Sequence, residues 1–297
     1  MKESASPAPR YLMCRPQHFA VTYSINPWMD PNAWAESGEV LHARAVRQWT
    51  GLYRALLARG VTIEAVEPQI DLPDLVFTAN AAVVLDRKAV LARFLHPERQ
   101  REQPVFAEAF RALQARGLID EVTDLPAGVT LEGAGDCIWD RARSLFWIGS
   151  GFRSDAGASG AIEDAFGVRC LPLSLTDPNF YHLDTAFCAL PTGDVIYFPG
   201  AFSAQALELI HDRVAPSQRI ALSRADASRF AANAVCVDRV VVMSNASDAL
   251  RRALEERGYT LMKTPLQAFL RSGGSACCLT LRLDHVSKAA PAAMAVA

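Results

Sequence analysis

Apolar residues follow two different spacings along the chain, one typical of helices and the other of short strands. Four segments place apolar residues three or four positions apart, which predicts amphipathic helices. Pairs of short apolar runs joined by polar turns lie between these segments, and this pattern is typical of β-hairpins. The predicted helices cover residues 40–60, 104–117, 204–214 and 246–258.

The predicted hairpins make the order of elements repetitive. Their paired runs are residues 81–85 with 89–94, 137–139 with 145–148, 185–190 with 195–198, and 234–237 with 240–244. A unit of hairpin, helix and short strand therefore recurs every 45 to 55 residues or so, and the chain has room for about five units. A layered βαβ fold is disfavoured because its strands would alternate singly with helices. We predict an α/β fold, a single closed propeller of five pseudo-symmetric blades.

Length and composition support a single domain of this kind. The chain has 297 residues, and 51% of them are hydrophobic, which is enough apolar material for a sizeable core. We expect the domain to cover residues 11–285, between flexible tails at residues 1–10 and 286–297. The opening residues lack the apolar core of a signal peptide, and no apolar run approaches the length of a membrane span.

Charge and cysteine content narrow the functional classes. A formal net charge of -2 gives no indication of a nucleic-acid or membrane partner. The seven cysteines are odd in number and irregularly spaced, so we expect free thiols and a cytoplasmic location. No Cys-x-x-Cys pair suggests a metal site, and no glycine-rich phosphate loop follows a predicted strand, so neither a metal nor a cofactor is expected.

Unusual polar residues accompany the first strand of each predicted hairpin. Equivalent positions of a radial repeat point toward the same place, so we expect Asn80, Glu132, His182 and Cys278 to converge on the axis. The polar residues are Asp74 with Asn80, Glu132 with Asp136, His182 with Asp184, Asn233, and Ser275 with Cys278.

Cys278 follows Gly273 and Gly274, which permit close backbone approach and unusual dihedral angles. Its thiol could be exposed and reactive, but most intracellular cysteines are buried and structural, and composition alone favours that second explanation. Cys277 is a rival nucleophile. Alternation along a strand should direct the two side chains to opposite faces, so we expect at most one of them in the site.

The histidine and the acidic turn are weaker signals when taken alone. His182 and Asp184 share a face if their segment is extended, and a neighbouring carboxylate makes an imidazole more basic. A surface hydrogen bond in a loop would explain the same pair. Glu132 and Asp136 flank small residues, which suits a tight turn that presents a carboxylate to a ligand, but an ordinary polar turn has the same composition.

Together these motifs resemble the guanidine-modifying, or pentein, superfamily over about residues 15–283. This superfamily includes dimethylarginine dimethylaminohydrolases, arginine and agmatine deiminases, amidinotransferases and arginine dihydrolases. The resemblance rests on His182-Leu183-Asp184, on the acidic turn at residues 132–136, which has one extra residue, and on the glycine-rich segment 273–280. It implies Cys278 as the nucleophile, His182 as the general acid/base and Glu132 as a catalytic carboxylate that contacts substrate.

The resemblance also implies a set of substrate-binding residues. Asp184 would clamp the guanidinium, and Asp74 opens a segment similar to the one that supplies substrate-binding acids in dimethylaminohydrolases. Two arginines fall where the family binds a substrate carboxylate, although solvated surface charge would also explain them. The full set is Asp184, Asn80, Asp74, Arg99, Arg153 and Asn26.

Asn80 separates the branches of the family. Deiminases usually carry an acid at this position, whereas the Thr-Ala-Asn-Ala segment here resembles the dihydrolase branch, as does the segment that begins at Asn26. The implied activity is hydrolysis of arginine to ornithine, ammonia and carbon dioxide through a cysteine thiouronium adduct, without metal or cofactor. The alternatives are a dimethylarginine hydrolase or deiminase that gives citrulline, an amidinotransferase, and a non-catalytic binding protein. The expected partner is a small guanidino substrate, and a homo-oligomer is left open.

Overall fold

The computed structural model describes residues 8–287, in which fifteen strands form five three-stranded sheets. The predicted tails at residues 1–10 and 286–297 lie mostly outside this range. The strands are β1 (Arg10–Cys14), β2 (Thr62–Val66), β3 (Ala82–Leu85), β4 (Lys88–Leu91), β5 (Glu121–Asp124), β6 (Cys137–Asp140), β7 (Leu145–Ser150), β8 (Cys170–Ser174), β9 (Phe187–Ala189), β10 (Val195–Tyr197), β11 (Arg219–Ala221), β12 (Val235–Val237), β13 (Val240–Met243), β14 (Thr260–Lys263) and β15 (Leu281–Arg282).

All five sheets share one topology. Each has an antiparallel pair of strands, and the second strand of that pair also pairs in parallel with a third strand. In four of the sheets the antiparallel pair is a hairpin, in the orders β3-β4-β5, β6-β7-β8, β9-β10-β11 and β12-β13-β14. A helix connects the second strand to the third, as a parallel pairing requires. The predicted repeat of hairpin, helix and strand is therefore confirmed.

The fifth blade joins the two ends of the described chain. β15 pairs antiparallel with β1, with Tyr11 opposite Arg282, and β1 pairs in parallel with β2. Local sequence patterns could not predict this pairing because its strands are separated by almost the whole domain. The closure turns an open series of blades into a ring. The inner strands of the ring are β3, β6, β9, β12 and β15, so the segment before β15 lies beside the segments that precede the other four.

The longer helices pack against the sheets from outside the ring, whereas α3 carries the pocket residue Arg99. In the longest, α2, the buried residues Leu41, Ala45, Trp49, Leu52 and Leu56 recur every three or four positions, so one face of the helix covers its sheet. The four predicted helices correspond to α2, α4, α6 and α8. The helices are α1 (Pro31–Ala35), α2 (Gly38–Leu57), α3 (Pro97–Gln100), α4 (Gln103–Ala115), α5 (Ala158–Phe166), α6 (Ala204–Arg213), α7 (Arg224–Ala227), α8 (Asp248–Glu255) and α9 (Gln267–Leu270). None of them is both long and apolar enough to span a bilayer.

The inner strands surround an axial cavity at the end of the ring where the hairpins turn. Residues from all five inner strands line it, and its walls are mainly apolar. Four of the seven cysteines also line this axial cavity: Cys137, Cys188, Cys236 and Cys277. All seven cysteines are unpaired. A separate, polar pocket lies at the opposite ends of the inner strands.

Candidate active site

The polar pocket forms where the chain approaches the inner strands. It is lined by seven of the nine predicted site residues, and the remaining two, Glu132 and Asp184, contact its lining directly. The structure therefore brings all nine residues together from positions spread over most of the chain. The pocket residues are Ile25, Asn26, Asp74, Phe77, Asn80, Arg99, Arg153, Tyr181, His182, Ser272, Gly274 and Cys278.

The polar residues lie in short turns that precede the inner strands, not in the strands themselves. Single turns of 3₁₀ helix cover Thr78–Asn80, Gly133–Gly135 and Leu183–Thr185, each just before an inner strand. Asn80 lies in the first of these turns, whereas Glu132 and His182 each directly precede theirs. The polar residues therefore precede the hairpins, as the sequence indicated, and the short turns are what the sequence did not predict.

Cys278 lies in a helical turn, which corrects the prediction of a strand at this position. Leu279 N donates to Ser275 O, and Thr280 N donates to Cys277 O. Successive residues of a helical turn point about 100° apart, so the two cysteines still diverge. Cys277 lines the axial cavity, whereas Cys278 lines the polar pocket.

Two hydrogen bonds hold the Cys278 thiol. Its Sγ donates to Asp184 Oδ2 at 3.1 Å and accepts from Asn233 Nδ2 at 3.0 Å. Burial raises the pKa of this thiol well above its ordinary value, and the adjacent Asp184 raises it further. The free protein therefore holds Cys278 as a neutral thiol at neutral pH. A cation in the pocket would favour the thiolate, which is the nucleophilic form.

Asp184 has one carboxylate oxygen free for a ligand. Its Oδ1 is buried and has no hydrogen-bond partner among residues 8–287. Burial raises the pKa of Asp184 to about 6, although His182 counteracts the effect. An unpaired buried acceptor is costly, and a guanidinium N–H would satisfy it.

His182 pairs with Glu132, whereas the sequence suggested Asp184 as its neighbouring carboxylate. His182 Nε2 lies 2.8 Å from Glu132 Oε2 because residues 183–185 form a turn that directs Asp184 toward Cys278. Arg153 Nη1 donates to the same Glu132 oxygen at 3.0 Å. Burial alone would raise the pKa of Glu132, but Arg153 and His182 outweigh it and hold the pKa at about 2. Glu132 is therefore a carboxylate at every working pH.

Asn80 has a fixed orientation in the pocket. Its Oδ1 accepts from Arg99 Nη1 at 3.0 Å, and its Nδ2 donates to the Glu132 carbonyl oxygen at 2.9 Å. These contacts determine which end of the amide is oxygen. No other residue between 8 and 287 uses the second lone pair or the second N–H of the side chain, so Asn80 can offer a ligand both an acceptor and a donor.

The two pocket arginines are largely committed to protein contacts. Arg99 uses four of its five N–H groups on Glu102, Asn80 and the Asp74 carbonyl, which leaves one for a ligand. Arg153 also donates to the Ile25 carbonyl and lies over the Tyr181 ring. Both arginines are buried, so neither is a solvated surface charge.

Asp74 and Asn26 are each fixed by neutral partners. Asp74 accepts from Tyr23 Oη at 2.8 Å and from Ser272 Oγ at 3.0 Å. Asn26 donates to the Ser272 carbonyl at 3.1 Å and accepts from the Trp28 N–H. Buried acids outnumber the buried arginines around this pocket, so its charge favours a cationic ligand. The acids are Asp74, Glu102, Glu132, Asp136 and Asp184, and the arginines are Arg99 and Arg153.

Asn233 is the clearest omission from the predicted site. It is wholly buried, and its side chain contacts both the Sγ and the backbone N–H of Cys278. The sequence indicated its position as the polar residue before the fourth hairpin. No catalytic motif surrounds it, so this position was the only available signal.

Gly135 tests how closely Asn80 must be placed. A Cβ at Gly135 would overlap Asn80 Nδ2, although the backbone there can accept alanine. We expect Gly135→Ala to lower kcat/KM for arginine, the substrate that the resemblance implies, about 100-fold. The reason is that displacing a positioned group such as the Asn80 amide by about 1 Å can have this effect. Gly157→Ala is the matched control because its Cβ would meet no atom within 4 Å. Steady-state kinetics and thermal unfolding of both variants check the prediction, and an unaffected Gly135→Ala enzyme would contradict it.

Comparison with known proteins places the chain in a family. The sequence profile described as N,N dimethylarginine dimethylhydrolase, eukaryotic, matches residues 15–284. The chain belongs to this family. Its membership agrees with the five-bladed fold and confirms the resemblance to guanidine-modifying enzymes.

Two relatives of the chain are named for different activities. The chain is 46% identical over 276 residues to the bifunctional arginine dihydrolase/ornithine cyclodeaminase AgrE of Nostoc, an alignment that covers 93% of this chain and 38% of AgrE. It is 36% identical to an N(G),N(G)-dimethylarginine dimethylaminohydrolase of Mycobacterium tuberculosis, with 92% of this chain and 85% of that protein aligned. The chain thus spans well under half the length of AgrE.

A solved structure of similar extent supports the fold. The N-terminal domain of ArgZ, an arginine dihydrolase from cyanobacteria, was crystallised as a cysteine-to-serine variant bound to substrate. It superposes with a TM-score of 0.88 at 38% identity, and the match covers 94% of this chain and 100% of that domain. The predicted single-domain pentein fold is therefore confirmed.

Proposed function

We propose that this protein is a cysteine hydrolase that attacks the guanidinium carbon of arginine, and that it carries two hydrolyses through to ornithine. The observation that carries this proposal is the pairing of Cys278 with Asp184 beside an amide at position 80. The second Asp184 oxygen is buried and has no hydrogen-bond partner within the described part of the chain. Family membership and the activities for which AgrE and ArgZ are named support it.

The first hydrolysis begins when a guanidinium enters the acidic pocket. Asp184 Oδ1 accepts one of its N–H groups, and the positive charge favours release of the Cys278 thiol proton to solvent. The thiolate attacks the guanidinium carbon, and His182 donates a proton to the amine that leaves as ammonia. Water then attacks the thiouronium carbon and gives one proton to His182. When the C–S bond breaks, the hydroxyl of the adduct becomes the ureido carbonyl of citrulline, and its proton passes to the Cys278 sulfur, which restores the thiol.

The second hydrolysis acts on a neutral substrate. A carboxylate at position 80 would pair with cationic arginine but would offer no donor to the ureido oxygen of citrulline. Asn80 keeps both a donor and an acceptor free, so it suits either species. Arginine and two waters give ornithine, carbon dioxide and two ammonia, and no metal or organic cofactor takes part.

A dimethylarginine hydrolase is the second candidate, because the matched profile and the Mycobacterium tuberculosis relative are named for that activity. A deiminase, an amidinotransferase and a non-catalytic binding protein are weaker candidates. Incubation of the pure protein with arginine, citrulline, dimethylarginine and agmatine separates them. We expect turnover of arginine and citrulline, whereas release of dimethylamine alone would favour the second candidate. An amidinotransferase would require an added amine.

The pKa of Asp184 leads to a testable pH dependence. The ionised carboxylate binds the guanidinium, so we expect kcat/KM for arginine to fall about tenfold per pH unit below about pH 6. Bound guanidinium stabilises the carboxylate, so the acid limb of kcat should lie at lower pH. Glu132, with a pKa of about 2, stays ionised in this window. Profiles of both constants check this, and limbs at the same pH would contradict it.

We also propose a cytoplasmic location, which all seven free thiols support. The small-molecule partner is an arginine-like guanidino compound. Residues 8–287 contain no cluster of three His, Cys, Asp or Glu side chains arranged to hold a metal ion.

A further inference from the structure

The Asn233 side chain contacts both the sulfur and the backbone N–H of Cys278, and these contacts determine the orientation of its amide. Its Oδ1 accepts the Cys278 backbone N–H at 3.1 Å, so the opposite end of the amide must be the nitrogen. That Nδ2 donates to Cys278 Sγ at 3.0 Å and to the Asp184 carbonyl oxygen at 3.1 Å. Both amide hydrogens are therefore used, one of them on the reacting sulfur atom.

We propose that Asn233 is a further catalytic residue, which stabilises the Cys278 thiolate by an N–H···S hydrogen bond and is needed most when the substrate is neutral. Only the part of this inference that concerns arginine and citrulline rests on the proposed function. The hydrogen bond itself belongs to the free protein.

The surroundings of Cys278 show why such a donor matters. Asp184 Oδ2 accepts from the thiol and disfavours the thiolate, whereas Asn233 donates to the sulfur and needs no charge of its own. The titratable groups that interact with Cys278 are Asp184, Cys277 and Tyr181. The others that line the same pocket are His182, Asp74, Arg99 and Arg153. Asn233 therefore opposes a local field that otherwise keeps the thiol protonated.

The two proposed substrates, arginine and citrulline, differ in how much their charge stabilises the Cys278 thiolate. Cationic arginine brings its own positive charge to the sulfur, whereas neutral citrulline brings none. The thiolate must also leave the carbon at the end of each hydrolysis, and the same donor stabilises it there. Loss of the Asn233 donor should therefore slow citrulline hydrolysis more than arginine hydrolysis.

Alkylation of Cys278 tests this inference without any substrate. Iodoacetamide is a neutral reagent, chloroacetamidine is a cationic one, and peptide mass spectrometry identifies the alkylated cysteine among the seven. In Asn233→Ala we expect iodoacetamide to modify Cys278 about 10- to 100-fold more slowly at a fixed pH, the range expected for a hydrogen bond to a charged group. The decrease in the alkylation rate of Asn233→Ala should be smaller with chloroacetamidine.

Two further variants guard against a purely structural effect. Asn233→Asp keeps the shape and the acceptor for the Cys278 N–H but removes the donor and adds a negative charge. It should therefore slow iodoacetamide at least as much as alanine does. Thr280→Val is the control: its hydroxyl binds the Ala276 and Cys277 carbonyls in the same turn and does not touch Sγ. We expect the control to alkylate within about twofold of the native rate.

The outcomes separate this inference from the proposed function. Two results with folded Asn233→Ala would overturn the role of Asn233, whatever the substrate is. One is an unchanged rate and pH profile of alkylation by iodoacetamide. The other is an equal decrease in the alkylation rate with both reagents. With substrates, citrulline should accumulate when Asn233→Ala turns over arginine. If the native protein hydrolyses neither compound, the proposed function fails, and the alkylation rates still decide the inference.

Discussion

Cys278→Ser is expected to lower arginine turnover by at least about 10⁴-fold, because a serine hydroxyl at this position has neither a thiolate form nor a base to activate it. The substitution keeps the size of the side chain and leaves Asp184 and Asn80 in place, so arginine should still bind. Ammonia release and calorimetric binding measure the two effects separately.

Cys277→Ser is the matched control for this experiment. Its side chain faces the axial cavity and lies one residue away in the same turn. We expect Cys277→Ser to retain arginine turnover within a few-fold of the native protein, because a small substitution away from the pocket has a small effect on stability. Equal ammonia release from Cys278→Ser and native protein would contradict the role of Cys278, and background release from both, with arginine still bound, would support a binding protein on this scaffold.

Asn80→Asp is expected to convert the product from ornithine to citrulline. The new carboxylate would still accept from Arg99 but would lose its donor and face the Glu132 carbonyl oxygen. We expect arginine consumption to continue while ornithine formation falls about 100-fold or more, as for a site that loses a required hydrogen-bond partner. Chromatography of arginine and citrulline reactions measures both rates.

Asn26→Asp provides the control for the change of charge. It also replaces an amide with an acid in the pocket, but its contacts are to Ser272 and Trp28, away from Asn80. We expect it to lower both hydrolyses by similar factors and leave the product ratio unchanged. An equal shift of the citrulline-to-ornithine ratio in Asn80→Asp and Asn26→Asp would contradict a specific role of Asn80 in the second hydrolysis.

Local sequence signals predicted most of the fold. The hairpins and the helices α2, α4, α6 and α8 follow from apolar spacing and turn residues, because each blade is a local unit, whereas α5 was not predicted. The pairing of β15 with β1 could not be predicted in this way, since it depends on contacts between distant parts of the chain. The short turns before the inner strands were also missed, because three residues give no periodic signal.

The site was partly predictable for the same reason. The repeat brought Asn80, Glu132, His182 and Cys278 to one end of the axis. Which carboxylate meets His182 depends on side-chain directions within a single turn, and the sequence pattern carries no information on those. The contact between Asn233 and the sulfur depends on two blades at once.

The most direct test of double hydrolysis is the amount of ammonia released for each arginine consumed. Isotopically labelled arginine allows ammonia, citrulline, ornithine and carbon dioxide to be followed together. We predict two ammonia and one ornithine per arginine, with citrulline only as a transient. One ammonia per arginine with stable accumulation of citrulline would contradict the dihydrolase function.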